Sequence, residues 1–214
     1  TYADIVEGCE GQYRVRLMDN LRGGDCAYPG LELLPDGTFV TTTYGHWVEG
    51  EEPFVASVRL RLDEIDRKAA TRDPVSKPRG VRVFESGGED YPCFRIPSVV
   101  VSNDGAVVAF CEGRQSRGDH SQNDIVLKRS LDSGRTWSEL HVVASERPDS
   151  LNDPSASVDR RTGRIVLHYS RFAHGYHSDR AVPGYDDPNR SRNYVTWSDD
   201  GGQTWVPARE VTRE

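Results

Sequence analysis

Charged side chains that could bind and process a polar ligand lie at both ends of one predicted β-hairpin, whose turn is Asn103–Gly105. Arg95 precedes its first strand, and Glu112, Arg114 and Asp119 follow its second. Antiparallel strands bring these ends to one edge of a sheet, so we expect the side chains to lie close together. An arginine can bind a carboxylate through two hydrogen bonds, and an aspartate can transfer a proton. The spacing predicts a site for an acidic ligand, although solvated surface groups or a salt bridge within the sheet would fit the same residue types.

The segments that must position these residues have the pattern of short strands broken by Gly, Pro, Asn and Asp, which indicates an all-β protein. The one predicted helix is Leu62–Ala70, where acidic residues precede basic ones. A repeat is also present, in which a proline is followed eight or nine positions later by a turn glycine between apolar strands. It occurs at Pro29–Gly37, Pro97–Gly105 and Pro154–Gly163. Repeated units of this size predict blades of a β-propeller.

An octapeptide occurs twice, as Ser130–Trp137 (SLDSGRTW) and Ser198–Trp205 (SDDGGQTW). The aspartate of such a turn can accept hydrogen bonds from backbone N–H groups, its glycine can adopt a positive φ, and its tryptophan can pack beneath the turn. We therefore interpret Asp132 and Asp200 as structural residues rather than catalytic ones.

The bulk composition excludes several classes of function. The chain has 214 residues and a net charge of −7, with no basic stripe that could neutralise the phosphates of a nucleic acid. The four cysteines lack the spacing of a metal site, so free thiols are expected. No apolar run approaches the length of a membrane span, and the segment Thr1–Asp4 does not resemble a signal peptide.

Several of these motifs together resemble the sialidase (neuraminidase) family. They are Phe94-Arg95-Ile96-Pro97, the Glu112-x-Arg114 pair, Asp119, and the two octapeptides, which match the Asp-box of that family. The resemblance implies a six-bladed β-propeller and an exo-α-sialidase, which releases terminal sialic acid from a sialylated glycan without a cofactor. It implies that Arg95 is one of three arginines that bind the substrate carboxylate, and that Asp119 is the acid/base. The localisation stays open, with a secreted or periplasmic protein slightly favoured.

The resemblance implies a tyrosine nucleophile as well, and the candidate is Tyr28, which precedes the predicted strands of the last blade. Sialidases depart from the usual pair of glycosidase carboxylates by using a tyrosine. The anomeric carbon bears a carboxylate, which would repel an anionic nucleophile, whereas a phenol can be deprotonated as it attacks. In the family a glutamate assists the tyrosine. That glutamate and the other two arginines are not located in this sequence, since Arg14 and Arg16 match no motif.

Other residues near the predicted site have alternative interpretations. Asp124 is the competitor of Asp119 for the acid role, but its place at the start of a strand favours a role in shaping the turn. Glu112 and Arg114 are predicted to support the substrate pocket, and Asn152 to line it. His120 is interpreted either as a neighbour that tunes Asp119 or as a solvated loop residue.

The predicted domain organisation places a last blade before a first one. Residues 1–67 are predicted to form a closing blade, 68–81 a linker, and 82–214 the first two blades. Such an order fits either a junction between tandem propellers or a fragment or permutation of one propeller, and in the first case Tyr28 and Arg95 would belong to different sites. The alternative to an enzyme is a propeller that only binds glycans or protein partners.

Overall fold

The protein folds into three four-stranded antiparallel sheets, each formed by strands in chain order. The computed structural model describes residues 17–22, 26–71, 80–176, 184–187 and 189–213. The first sheet contains β1 (Ala27–Leu33), β2 (Thr38–Gly45), β3 (Phe54–Arg61) and β4 (Gly80–Glu85). The second contains β5 (Cys93–Val101), β6 (Val107–Arg114), β7 (Asp124–Ser130) and β8 (His141–Ala144). The third contains β9 (Ser150–Val158), β10 (Ile165–Phe172), β11 (Arg192–Ser198) and β12 (Arg209–Glu210).

The predicted repeat corresponds to the first hairpin of each sheet. The turn glycines Gly37, Gly105 and Gly163 have φ angles of 80°, 87° and 81°, a conformation that residues with a Cβ adopt at a cost. The prolines of the repeat lie on β1, β5 and β9. The sequence repeat is therefore a repeat of structure.

The three sheets pack face to face in chain order, and their first strands β1, β5 and β9 are neighbours. Tyr44 and Val55 of the first sheet share an apolar core with Phe94 and Cys111 of the second. A second core joins the facing sides of the second and third sheets. These are consecutive blades of a partial β-propeller, which confirms the predicted fold class.

The predicted boundaries at 67 and 82 differ from the structure. The helix α1 (Leu62–Thr71) runs past the predicted end of the first blade, and the segment predicted as a linker ends within β4. β4 pairs with β3 and completes the first sheet. The physical reason is burial, because Val83 and Phe84 of β4 lie in the core of the molecule. The first blade is thus joined directly to the other two instead of being separated from them.

The two octapeptides form turns with the same hydrogen bonds. In the first, Asp132 accepts bonds from the backbone N–H groups of Arg135 and Thr136 at 3.0 and 2.8 Å, and from the Thr136 hydroxyl at 2.7 Å. Asp200 accepts the equivalent bonds in the second turn at 3.0, 2.9 and 2.6 Å. The expected structural role of both aspartates agrees with this geometry.

Each octapeptide turn is also attached to the preceding blade. Arg59 on β3 donates a hydrogen bond to the backbone oxygen of Ser133 at 3.3 Å, and Arg129 on β7 donates to that of Gly201 at 2.9 Å. The Trp205 ring packs edge-on against Phe110 with centroids 5.7 Å apart. The turns therefore connect neighbouring blades at the edge opposite to the β6–β7 loop.

Two general properties concern only the described part of the chain. Cys26, Cys93 and Cys111 are free thiols there, while Cys9 lies outside it. No helix in that part is long and apolar enough to cross a membrane.

Candidate functional site

A cavity of about 220 Å³ lies where the ends of β1, β6 and β9 meet. Residues from all three sheets form its wall, so it exists only when the blades are packed together. The lining residues are Tyr28, Ile96, Arg114, Asp119, His120, Asn152, Asp153 and Phe172. Four of the six site residues predicted from sequence thus share one cavity, and the other two, Arg95 and Glu112, contact its lining.

Arg95 and Asp119 form an ion pair beside this cavity. A guanidinium nitrogen of Arg95 lies 3.1 Å from Asp119 Oδ1, as expected for residues at the same edge of a hairpin. The Arg95 guanidinium also lies over the ring of Tyr44 on the neighbouring blade, 5.4 Å from its centroid. The Arg95 side chain is 12% exposed and that of Asp119 is 69% exposed. The Arg95 side chain is therefore fixed by the residues around it, while the Asp119 carboxylate is accessible to solvent and can move away from Arg95.

Asp119 is also bound by Arg114, whose guanidinium lies 3.0 Å from the same carboxylate oxygen. The hydrogen bond from Arg114, together with the charges of Arg114 and Arg95, lowers the pKa of Asp119. In the ligand-free protein Asp119 is thus an ionised carboxylate paired with two arginines.

Glu112 supports Arg114 from inside the second sheet. Both side chains are almost fully buried, and Arg114 Nε donates to Glu112 Oε2 at 2.6 Å. Glu112 Oε1 accepts the backbone N–H of Asp153 at 2.8 Å, which connects the second blade to the third. Burial raises the pKa of Glu112 to about 7. Glu112 thus acts on the cavity through Arg114 and Asp153.

Asn152 positions the loop that carries Asp119. Its Nδ2 donates to the backbone oxygen of Asp119 at 2.6 Å, and Asn123 Nδ2 donates to the same oxygen at 2.9 Å. Within the described residues the buried Oδ1 of Asn152 has no hydrogen-bond partner. The amide of Asn152 therefore holds the main chain of Asp119.

Asp124, the sequence-based competitor of Asp119, lies away from the cavity. It is 2% exposed and accepts hydrogen bonds from the Tyr91 hydroxyl at 2.8 Å and from Arg147 at 2.7 Å. Burial and the Asp124 carboxylate raise the pKa of Tyr91. Asp124 is consequently part of a structural network, and only Asp119 of the two faces the cavity.

Tyr28 lies in the cavity wall although it belongs to the first sheet. Its side chain is 48% exposed, and no described residue forms a hydrogen bond with its hydroxyl. The sequence left open whether Tyr28 and Arg95 share a site. Tyr28 lines the same cavity as Asp119, the ion-pair partner of Arg95, because β1 and β5 are neighbouring first strands.

Asp153 and Phe172 are cavity residues that sequence reasoning did not assign. Phe172 packs against His120 with ring centroids 4.4 Å apart, so His120 is part of the wall rather than a solvated loop residue. The repeated proline was a usable signal for Asp153, because Tyr28, Ile96 and Asp153 each precede one of these prolines.

Some sequence-based predictions fall outside the described residues. Arg14 and Arg16 lie there, as do residues 177–183 of the loop that follows β10. In the described part of the chain, no group of three or more His, Cys, Asp or Glu side chains is arranged to hold a metal ion.

Comparison with known proteins identifies relatives by sequence. No family model matches the chain. A curated sialidase of Micromonospora viridifaciens is 39% identical over 128 residues, which covers 56% of this chain and 20% of the relative. Sialidases of several other organisms match as well. These matches to curated sialidases support a sialidase-family protein.

Solved structures agree with the observed fold. A Hadza microbial sialidase covers 76% of the chain with a TM-score of 0.54 and 20% identity, and the match spans 34% of that protein. An α-L-arabinanase of Penicillium chrysogenum covers 92% with a TM-score of 0.62 and 18% identity, and spans 53% of that protein. At such identities these structures establish the propeller architecture alone. The chain spans about a fifth of the length of the Micromonospora relative.

Proposed function

We propose that the chain carries one wall of the active site of an exo-α-sialidase, a retaining glycoside hydrolase that releases terminal sialic acid from glycoconjugates. The observation that carries this proposal is the convergence of Arg95, Asp119 and Tyr28 from two blades beside one cavity. A carboxylate-binding arginine, an acid/base and a phenol are the three chemical roles that this hydrolysis requires.

Arg95 is the proposed ligand of the substrate carboxylate. In the ligand-free protein its guanidinium is already paired with a carboxylate, that of Asp119, at 3.1 Å. The site therefore has the geometry to bind such a group, and the exposed Asp119 can be displaced by the substrate. Arg114, buried against Glu112, adds a second positive charge at the cavity wall.

Asp119 is the proposed acid/base. The two arginines keep it ionised while the site is empty, and an ionised carboxylate cannot donate a proton. When the substrate carboxylate takes its place on Arg95, Asp119 loses that partner and its pKa rises. Asp119 can then protonate the glycosidic oxygen as the bond from that oxygen to the anomeric carbon breaks.

Tyr28 is the proposed nucleophile. Its phenolic oxygen forms a bond to the anomeric carbon as the leaving group departs, and the phenol proton passes to a base. Water then attacks the same carbon and Asp119 accepts a proton from that water, while the bond from the phenolic oxygen to the carbon breaks and the base returns its proton to that oxygen. Two displacements at one carbon retain its configuration. No described residue is hydrogen-bonded to the Tyr28 hydroxyl, so the base belongs to another part of the site.

A second candidate function is a propeller that binds sialylated glycans without cleaving them, since no described residue is placed as the base for Tyr28. Both functions need Arg95, and only the enzyme needs the Tyr28 phenol and a base. They differ in the effect of Tyr28→Phe on the complete domain, which would abolish turnover in an enzyme and leave glycan binding by a lectin-like propeller unchanged.

A ligand titration tests the site in the 214-residue chain itself. We expect N-acetylneuraminic acid to shift the backbone NMR signals of the cavity residues, and its methyl ester, which lacks the negative charge, to shift them much less. Equal responses to acid and ester would contradict carboxylate binding by Arg95. We expect little or no sialidase turnover from this chain alone.

Leaving-group dependence tests the acid role in the complete domain. Asp119→Ala should slow hydrolysis of sialyllactose much more than that of an activated aryl sialoside, because a good leaving group needs little protonation. Equal losses on both substrates, at an unchanged folded fraction, would remove Asp119 from this role.

A further inference from the structure

One local structure recurs at three cavity residues. Tyr28, Ile96 and Asp153 have φ angles of 50°, 54° and 57°, and each precedes a proline. At each of them the first strand of the sheet carries one more residue than its partner strand, which defines a β-bulge. All three residues line the same cavity. Each blade therefore presents one residue to the site through the same kind of irregularity.

The proline explains why the strands keep these bulges. A regular ladder needs a backbone N–H at every second position, and proline has none, so the regular pairing is less favourable at Pro29, Pro97 and Pro154. The conformation of the preceding residue is costly, above all for the β-branched Ile96. Without the proline, the strand could pair regularly and lose its bulge, which would relieve this strain. The side chain of the residue at the bulge would then turn away from the cavity.

In the first two blades, the residue after the proline lies against the first strand of the following blade. At Gly30 a Cβ would lie 2.8 Å from the backbone nitrogen of Val99 on β5, so β1 approaches β5 too closely for a side chain there. Ser98 Oγ accepts the backbone N–H of Ala156 on β9 at 3.3 Å. These contacts fix each bulge relative to the neighbouring first strand.

We propose that Pro29, Pro97 and Pro154 are positioning residues of the site, each of which locks a bulge that directs the preceding side chain into the cavity. The functional part of this inference rests on the proposed sialidase site, since Tyr28 is its candidate nucleophile. Tyr28 is followed by Pro29 and Gly30. The proline and glycine now have physical roles, in the bulge and in the close approach to β5 respectively.

The test uses the 214-residue chain with fluorotyrosine in place of tyrosine, and the Tyr28 resonance is assigned with Tyr28→Phe. In Pro29→Ala we expect this ¹⁹F resonance to shift or split in the ligand-free protein, and its response to N-acetylneuraminic acid to be lost. Pro53→Ala is the matched control, because Pro53 precedes β3 and does not line the cavity. It should leave the Tyr28 resonance and its ligand response unchanged.

Two results would overturn the proposal. One is a Tyr28 resonance in Pro29→Ala that matches that of the unmodified chain in position and in ligand response. The other is an equal change in Pro53→Ala, which would indicate a general loss of packing. If no variant and no unmodified chain responds to N-acetylneuraminic acid, the proposed function fails, while the ligand-free resonance still decides the role of Pro29.

Pro154→Ala provides a second measurement that does not depend on whether Pro29→Ala folds. The backbone amide of Asp153 donates to Glu112 at 2.8 Å, so its NMR signal reports on the bulge directly. We expect this amide to lose protection from hydrogen exchange in Pro154→Ala while the amides of β10 and β11 keep theirs. Unchanged protection at Asp153 would contradict the positioning role.

Discussion

Aspartates in loops of the second sheet have different partners at the two ends of β7. At one end, all hydrogen-bond partners of Asp132 lie within four residues of it, in its own octapeptide turn. At the cavity end, the Asp119 carboxylate is held by Arg95, twenty-four positions away, and its main-chain oxygen by Asn152, thirty-three positions away. The loop of Asp132 is thus stabilised by hydrogen bonds among its own residues, whereas the loop of Asp119 is held by residues from other strands.

This difference separates structure from function in the molecule. Backbone N–H groups donate hydrogen bonds to the Asp132 carboxylate, and these bonds can break only if the turn unfolds. Asp119 is bound by side-chain charges and is 69% exposed, so another carboxylate can replace it on Arg95. An aspartate whose ion-pair partners can bind a ligand instead is suited to take part in a reaction. A carboxylate whose hydrogen bonds all come from its own turn is suited to a structural role between blades.

The largest expected effect is at the octapeptide end. Trp205→Ala removes a ring that packs edge-on against Phe110, and should lower the free energy of unfolding by about 3 kcal/mol. Trp137→Ala should act in the same direction. Urea denaturation measures the change, and binding of N-acetylneuraminic acid by the folded fraction should stay the same. A variant with unchanged stability would mean that the ring contributes little to the core.

At the cavity end, Arg95→Lys should change binding rather than stability. A lysine keeps the charge but loses the planar pair of donors, and we expect about tenfold weaker binding of N-acetylneuraminic acid. Isothermal titration calorimetry or an NMR titration measures this. Arg59→Lys is the matched control, because Arg59 contacts an octapeptide turn. Weaker binding in both variants would show that the loss is not specific to Arg95.

Asp119→Asn should strengthen binding of the same ligand, by about threefold, because the ligand no longer competes with a carboxylate for Arg95. Asp153→Asn removes an equal charge from the cavity wall without releasing Arg95, and should have a smaller effect. Weaker binding in Asp119→Asn would mean that Asp119 orients Arg95 instead of competing for it.

The smallest expected effect concerns acid stability. Hydrogen bonds from the Thr136 backbone and side chain lower the pKa of Asp132, and those from Thr204 lower that of Asp200. A lowered pKa in the folded state stabilises it above the ordinary aspartate value of 3.8, and this contribution is lost as the pH falls below that value. Thermal melts of Asp132→Asn should therefore show a weaker dependence on pH in the acid range than those of the unmodified chain. If stability depends on pH in the same way in both proteins, Asp132 does not contribute to the acid sensitivity.

Sequence alone determined the parts of this protein that depend on neighbouring residues. The hairpin with its turn at Asn103–Gly105, the two octapeptide turns and the helix after β3 follow from local hydrogen bonds and turn conformations. The approach of Arg95 and Asp119 was also predictable, because a hairpin has only one way to bring its ends together.

Only the tertiary structure decided which distant segments meet. It assigned β4 to the first sheet, placed Tyr28 and Asp119 in the wall of one cavity, and buried Asp124 against Tyr91 and Arg147. The physical reason is that these contacts arise from packing one blade against the next and from apolar burial, and neither is encoded in the residues adjacent to them. The three prolines at the β-bulges are an intermediate case. Their repeat is visible in the sequence, but only the assembled blades show that the residue before each proline lines the cavity.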